Sequence, residues 1–293
     1  MDLILNLLVD GICTGARYAI LGMGFALIFN TQRMFDLSFG GVYTWTGFFF
    51  WILATSLGIP LVFAAIIALL FCFALSFGVQ KLYVSQLRKK SDKSVSIMLG
   101  SMAVMMMMEA VTAMIWGGEI RVARMGAAGI IKLGSIQISD IKLYTVICAL
   151  ALFVATQYVF MRTPLGIKSR AIASNPRLSV VVGLDAEKNI ILTTCVGCAM
   201  IGLGAILVCA DTGVYPSIGF QSMLIAFMAV ILGGIGSFEG AFYGGMLIGL
   251  IRTLPVLRLP TLWQELILFA ILFCIIAFKP NGLLGIKDWK SEV

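Results

Sequence analysis

Long apolar blocks with few or no charges alternate along this chain with short polar or glycine-rich breaks, and the blocks have the length of membrane spans. The first runs from about Leu3 to Phe29 and is followed by the polar stretch Asn30–Gly41. The uncharged run from Leu37 to Gln80 is too long for one span, and the turn Gly58-Ile-Pro60 divides it into Gly40–Leu57 and Leu61–Gln80. Further spans are predicted at Val95–Trp116, Leu143–Met161, Asn189–Ala210 and Thr261–Phe278. With the glycine-rich stretch below, the pattern predicts an all-α integral membrane protein of about eight transmembrane helices. It forms one membrane domain over residues 1–293.

The stretch Ala226–Leu250, AFMAVILGGIGSFEGAFYGGMLIGL, is apolar enough to be membrane-buried but is not one plain helix. Gly233, Gly234 and Gly236 are followed by Ser237, Glu239 and Gly240, then by Gly244, Gly245 and Gly249. Each glycine costs about 1 kcal/mol relative to alanine inside a helix. Backbone freed by a break at membrane depth survives only where protein buries it or where it lines a water-filled cavity. The reading is two half-helices, Met223–Ile235 and Phe238–Ile251, meeting in an elbow with Ser237 and Glu239 at the entry to the second. A packed small-residue helix contact is the plainer account of Gly240, Gly244, Gly245 and Gly249, but it fits Gly-Gly-Ile-Gly-Ser-Phe-Glu poorly.

Charge placement orients these elements. Of the 21 basic residues, five lie in Lys81–Lys93 and five in Arg162–Lys188, which the positive-inside rule places in the cytoplasm. Gly117–Lys142 and Asp211–Gly219 then become external loops, and Lys279, Lys287 and Lys290 put the C-terminus inside. This count closes if the elbow is re-entrant, entering and leaving on one side. The echo of Ser38-Phe-Gly-Gly in Ser237-Phe-Glu-Gly suggests an inverted repeat with matching broken elements. The N-terminus is internal if Asn30–Phe39 is itself re-entrant, and external if that stretch is a cytoplasmic loop.

Composition narrows the class. The chain is 60% hydrophobic and 12% charged, against about 25% charged for a soluble domain, so it has no room for a large soluble domain. The net charge of +7 reflects topology rather than nucleic acid binding. The start, MDLILNLLVDGICTG, lacks a basic n-region and reads as part of the first span rather than a cleaved signal. Cys195 and Cys198 form C-x-x-C inside an uncharged run, and the chain has no histidine. They read as small buried residues rather than as a zinc or redox pair. The run Met105–Met108 likewise reads as flexible core filling, and no metal or other cofactor is expected.

Charges at membrane depth are the candidate chemistry. Arg17, at a cost of roughly 2.5–3.5 kcal/mol on insertion scales, needs a partner or an interface. Arg33 and Asp36 are three apart, within reach of a local ion pair, and Glu109 sits inside the fourth span. Between Arg162 and Lys188, Ser174 or Asn175 can cap a short helix starting at Pro176 and ending at Gly183. This is either an amphipathic helix at the cytoplasmic surface or a basic loop that only fixes topology. No G-x-x-x-x-G-K-[ST] occurs, so the chain has no P-loop. It also lacks a nucleophile–base set, which argues against a membrane enzyme.

Three stretches, in order, resemble the permease subunits of ABC importers for branched-chain amino acids. Gly15–Gly41, GARYAILGMGFALIFNTQRMFDLSFGG, is similar to the family's G-x-x-Y-A-L…G-L-x-L-x-Y-G…N-F-A-H-G. Thr163-Pro-Leu-Gly166, Arg170-Ala171, Asn175-Pro176 and Gly183 match T-x-x-G…R-A…N-P…G-I. Ala229–Ala241 matches A-V-x-L-G-G-x-G-S-x-x-G-A, and Lys279–Gly285 resembles the ending R-P-x-G-L-x-G. The chain departs at Asp36 and Phe39, where the family has Asn and His; Asp-Leu-Ser-x-Gly is closer to sugar-importer permeases, and urea and amide permeases share the wider pattern.

The resemblance implies a multi-pass inner-membrane permease that pairs with itself or a paralogue. Cytoplasmic ATP-binding subunits drive it, and an extracytoplasmic solute-binding protein feeds it. Residues 162–188 become a cytoplasmic loop with a coupling helix, and Arg170, Asn175, Pro176, Arg177 and Gly183 its ATPase-coupling residues. The translocation path draws on Asp36, Ser38, Gly40 and Gly41 and on Gly233, Gly234, Gly236, Ser237, Glu239 and Gly240. Asp36 and Glu239 have a second reading, as structural ion pairs or helix caps. A second function stays open: an ion-coupled secondary transporter using Asp36, Glu109 or Glu239 as its coupling carboxylate.

Overall fold

The computed structural model describes residues 2–90, 94–123, 130–133, 136–174, 176–257, 263–279 and 282–284. Twelve α-helices account for most of them. Five helical stretches are long and apolar enough to cross a membrane: Asn6–Gln32, Leu61–Arg88, Val95–Trp116, Asp140–Arg162 and Ala186–Asp211. A bent pair, Ile218–Gly233 with Phe238–Thr253, makes up to six. Helix α2 (Phe39–Trp51) is prolonged by a π-helical turn, Ile52–Ser56, and α12 (Trp263–Phe278) is a shorter apolar helix.

The chain departs from an all-helical pattern between Val95–Trp116 and Asp140–Arg162, the third and fourth of these long stretches. There Ile130–Leu133 and Ile136–Ser139 pair antiparallel as β1 and β2, with Ile131 opposite Ile138. β-branched residues on both sides of Gly134-Ser135 favour a hairpin over a plain loop. A second difference lies at the end of the span expected to close at Gln80, before the basic segment Lys81–Ser94. Helix α3 (Leu61–Val79) instead continues through a π turn, Gln80–Val84, into α4 (Ser85–Lys90). Lysine and arginine are good helix formers, so their charge marks the end of the apolar zone without ending the helix.

By packing, the chain divides into two compact units. One is Met1–Ala26, Gly126–Phe153 and Leu224–Val293; the other is Leu27–Met125 and Val154–Met223.

In the first unit, α1 (Asp2–Gln32) and α11 (Phe238–Thr253) run antiparallel in close contact. A Cβ at Gly249 would lie 2.2 Å from the Cα of Gly15, and one at Gly245 would lie 2.4 Å from the Cα of Ala19. Glycine at these positions lets the two backbones approach, the small-residue contact read from the sequence. Arg252 donates from Nη1 to the Tyr18 hydroxyl at 2.7 Å. Leu232, Ile248 and Leu268 form a buried core with Met228 and Ala229, bringing α12 against the pair. Lys142 pairs with Asp10, which sets the N-terminal part of α1 beside the start of α6 (Asp140–Arg162).

In the second unit, α2 is the axis. Ten of its thirteen residues are buried, as expected for a helix apolar on all sides. It packs on α3, on α5 (Ser94–Trp116) and on α9 (Ala186–Asp211). Gly40 and Gly41 meet the sulfurs of Met105 and Met108, while Met106 and Met107 face outward, 57% and 61% exposed. The methionine run therefore supplies two flexible fillers, three residues apart, to the glycine face of α2. Cys72, Cys195 and Cys198 are buried, and the Cys72 thiol lies 3.3 Å from the Cys198 carbonyl oxygen.

Candidate functional site

The elbow is a sharp turn between α10 (Ile218–Gly233) and α11. The two helices turn through 116° across a four-residue break. Helix α10 begins at Ile218, five residues before the expected Met223. Gly234 and Gly236 have φ of 115° and 93°, which a side chain with a Cβ rarely adopts. The two helices then close on each other: a Cβ at Gly233 would sit 1.9 Å from the Gly240 carbonyl oxygen, and one at Gly244 2.1 Å from that of Ala229.

Both helix ends at the elbow find partners. Ser237 is the N-cap of α11, its Oγ accepting from the Gly240 N–H at 2.9 Å. Glu239 lies exposed in the first turn of α11, where the positive end of the helix favours a carboxylate. The last carbonyls of α10 are met by the chain beyond α12. Leu283 and Leu284 donate backbone N–H groups to the oxygens of Leu232 and Gly233 at 3.0 and 2.8 Å. Gly282 makes this possible by lying against Gly234. Pro280, Asn281 and Gly285 of the same tail motif lie outside the described residues.

Asp36 sits in the break before α2, in the second unit, and is 1% exposed. Its carboxylate accepts from the Ser38 N–H at 3.0 Å, the Ser38 hydroxyl at 2.6 Å, Gln32 at 3.4 Å and the amide of Gln80. Ser38 precedes α2 as Ser237 precedes α11, but its hydroxyl is turned to Asp36 and makes no capping bond. Gln32 extends the cluster to Thr194 of α9 at 2.7 Å and accepts from Arg88. The Leu37 N–H donates to Ser101 of α5 at 3.0 Å. Sequence reading singled out Asp36 and Ser38 but missed Gln32, Gln80, Arg88 and Thr194. Their one signal was polar character at the margin of an apolar run. Glu109 accepts from the Phe220 N–H at 2.8 Å and so caps the start of α10.

The basic segment folds into two short helices, α7 (Pro164–Ser174) and α8 (Pro176–Val181). The first of these was not anticipated; Pro164 sits at its first position, where a missing N–H is harmless. Asn175 lies outside the described residues, and Pro176 and Arg177 open α8. Gly183 follows with φ 82° and Arg170 is exposed on α7. Buried Ser169 fastens α7 to α9: it receives Asn189 Nδ2 at 2.9 Å and lies 2.9 Å from the Thr193 hydroxyl. Beyond this anchor Leu178, Val181 and Val182 are 60%, 82% and 78% exposed.

Apolar helices of spanning length, one of them a sharply bent pair, and a short basic helix pair fixed to a span fit a multi-pass membrane protein of the transport class. The family model described as "Branched-chain amino acid transport system / permease component" matches residues 7–276, and the chain belongs to that family. It is 27% identical over 302 residues to the high-affinity branched-chain amino acid transport system permease protein BraD of Pseudomonas aeruginosa, covering 96% of this chain and 95% of that one. It is 25% identical over 297 residues, with the same coverage, to the corresponding permease protein LivH of Salmonella typhimurium. A probable permease protein LivH of Methanocaldococcus jannaschii is 26% identical over 147 residues, covering 48% of this chain and 46% of the relative.

Proposed function

We propose that this chain is the transmembrane permease subunit of an ATP-driven ABC importer that carries amino acids, branched-chain ones first among them, across the inner membrane. Family membership and the relatives' named transport systems support the cargo. The observation that carries the coupling role is the α7–α8 segment. It is bolted to α9 by Ser169, Asn189 and Thr193 and presents Leu178, Val181 and Val182 to the surroundings. A rigid mount bearing an uncovered apolar tip suits docking to a soluble ATP-binding subunit better than it suits a loop that only fixes topology.

The remaining partners are a second permease subunit, the same chain or a paralogue, and an extracytoplasmic solute-binding protein. The elbow forms part of the path. The break before α2 and the break before α11, each followed by Ser-Phe, are read as matching elements of an inverted repeat. Asp36 and Glu109 already hold backbone and side-chain donors. That supports structural roles over a proton or sodium relay, and detaches the Asp36 departure from the choice between amino acids and sugars.

The test is co-purification from native membranes in mild detergent, comparing wild type with Leu178→Asp and Val181→Asp. Recovery of an ATPase with wild type and its loss from both variants is the expected result. No ATPase after crosslinking, with uptake abolished by an uncoupler, overturns the reading.

A further inference from the structure

Helix α6 leaves one side uncovered as it approaches the cytoplasm. Val154, Tyr158 and Met161 are exposed, and their spacing of four and three puts them on one face. Of the five spanning stretches, Asp140–Arg162 is the least covered by the rest of the chain. Tyrosine near the end of a span is the residue type that settles at headgroup level. Arg162 follows four residues after Tyr158, on the same side, and closes α6. These residues and all of α7 lie in the second unit.

The face runs into unpaired positive charge. Arg162 on α6 and Lys168 and Arg170 on α7 are exposed, and none has an acidic partner among the described residues. No Asp or Glu occurs between Asp140 and Asp185, so the neighbouring sequence does not offset them. Helix α7 is held close to the end of α6: a Cβ at Gly166 would stand 2.2 Å from the Phe160 carbonyl oxygen. Gly166, Ser169 and Ile172 are buried against the protein. Ile167 and Ala171 are therefore on the outer side, with Lys168 and Arg170 on its two flanks. An outer apolar stripe with cations at both margins is the pattern of a helix that lies in a bilayer interface.

We propose that the end of α6 and the outer side of α7 form a binding surface for an anionic phospholipid of the cytoplasmic leaflet. The acyl chains run along Val154, Tyr158 and Met161, and the phosphate is held by Arg162, Lys168 and Arg170. Charge complementarity selects this occupant. A second copy meeting this face about a two-fold axis would bring the same three cations against themselves. The apolar tip at Leu178, Val181 and Val182 stays free for a soluble subunit. The lipid thus ties the base of the α7–α8 segment to the membrane. The inference needs the membrane placement of the chain and the cytoplasmic side of its basic segments, not its cargo.

The experiment places the full chain in phosphatidylcholine nanodiscs and titrates in spin-labelled phosphatidylglycerol or spin-labelled phosphatidylcholine, reading the immobilised fraction. Wild type should prefer phosphatidylglycerol by at least about fivefold, the factor that one cation supplies at an anionic lipid surface. Added salt should shrink the preference. The triple variant Arg162→Gln, Lys168→Gln, Arg170→Gln should lose most of it while eluting as wild type does. Lys81→Gln, which removes an exposed cation at the end of α3, should keep it. Equal binding of both lipids by wild type, a preference that survives the triple variant, or one that Lys81→Gln removes as fully overturns the inference. Co-purification from native membranes tests the competing occupant. An ATP-binding subunit should still be recovered with the triple variant. Its loss, with the lipid preference unchanged, makes that subunit the occupant and overturns the lipid site alone.

Discussion

Gly282 lies against Gly234 so closely that a Cβ on Gly282 would stand 2.5 Å from the Gly234 Cα. This contact lets the next two residues donate their N–H groups to Leu232 and Gly233, at the end of α10. Gly282 also has φ 73°, in the left-handed region. Gly282→Ala therefore meets both backbone strain and a collision with backbone that cannot swing aside. The expected cost is at least about 2 kcal/mol, of which left-handed strain alone supplies about 1–2 kcal/mol. Thermal unfolding in detergent should show it as a lowered midpoint, and hydrogen exchange should show faster exchange at Leu283 and Leu284.

Ser237 caps α11 through its Oγ. Ser237→Ala should cost about 0.5–2 kcal/mol, whereas Ser237→Asp, which keeps an acceptor oxygen and adds charge at the positive helix end, should lose little. Equal loss in both variants on thermal unfolding would show that the serine acts through something other than capping.

Glycines in this chain do opposite work at different positions. Gly249 faces the Cα of Gly15, whereas a Cβ at Gly78, inside α3, would meet nothing within 4 Å. Gly249→Leu should prevent α1 and α11 from docking and abolish accumulation of folded protein. Gly78→Ala should be neutral or stabilising, by up to about 1 kcal/mol. Expression and detergent stability of the pair test the contrast directly.

Asp36 is a hub of the second unit, with side-chain or backbone donors from Gln32, Ser38 and Gln80. Asp36→Asn replaces one acceptor oxygen by a donor facing donors and removes the charge that offsets Arg88. A loss of about 3–5 kcal/mol is expected, the range for breaking a buried charge pair. Gln80→Leu should cost less, about 1–3 kcal/mol, for one buried hydrogen bond. Stability that survives Asp36→Asn while transport is lost would return Asp36 to the path.

What the sequence disclosed and what it hid follow from how local each signal is. The span at Val95–Trp116 emerges as Ser94–Trp116, and the elbow as a break at Gly234–Ser237, because hydropathy and glycine clusters are properties of neighbouring residues. Gly183 ends α8 for the same reason. The partners of Asp36 are different. Gln80 opens the π turn that follows α3, and Arg88 comes from α4 beyond that turn, which no periodicity announces. Thr194 belongs to a helix from the other half of the chain. Helix α4 was obscured because lysines and arginines mark the limit of the apolar zone whether or not the helix continues. The sequence showed that Asp36 had to be satisfied but not by what.

The order in which the ribosome delivers these pieces adds a constraint. Helices α10 and α11 emerge, and their hinge must form, before Leu283 and Leu284 exist to meet the carbonyls of Leu232 and Gly233. Until the tail arrives, those carbonyls depend on water or on a chaperoning insertase. The joint is thus completed only after α12 has been placed. A nascent chain stalled or cut after α12 would hold the twelve helices described above yet keep an open hinge.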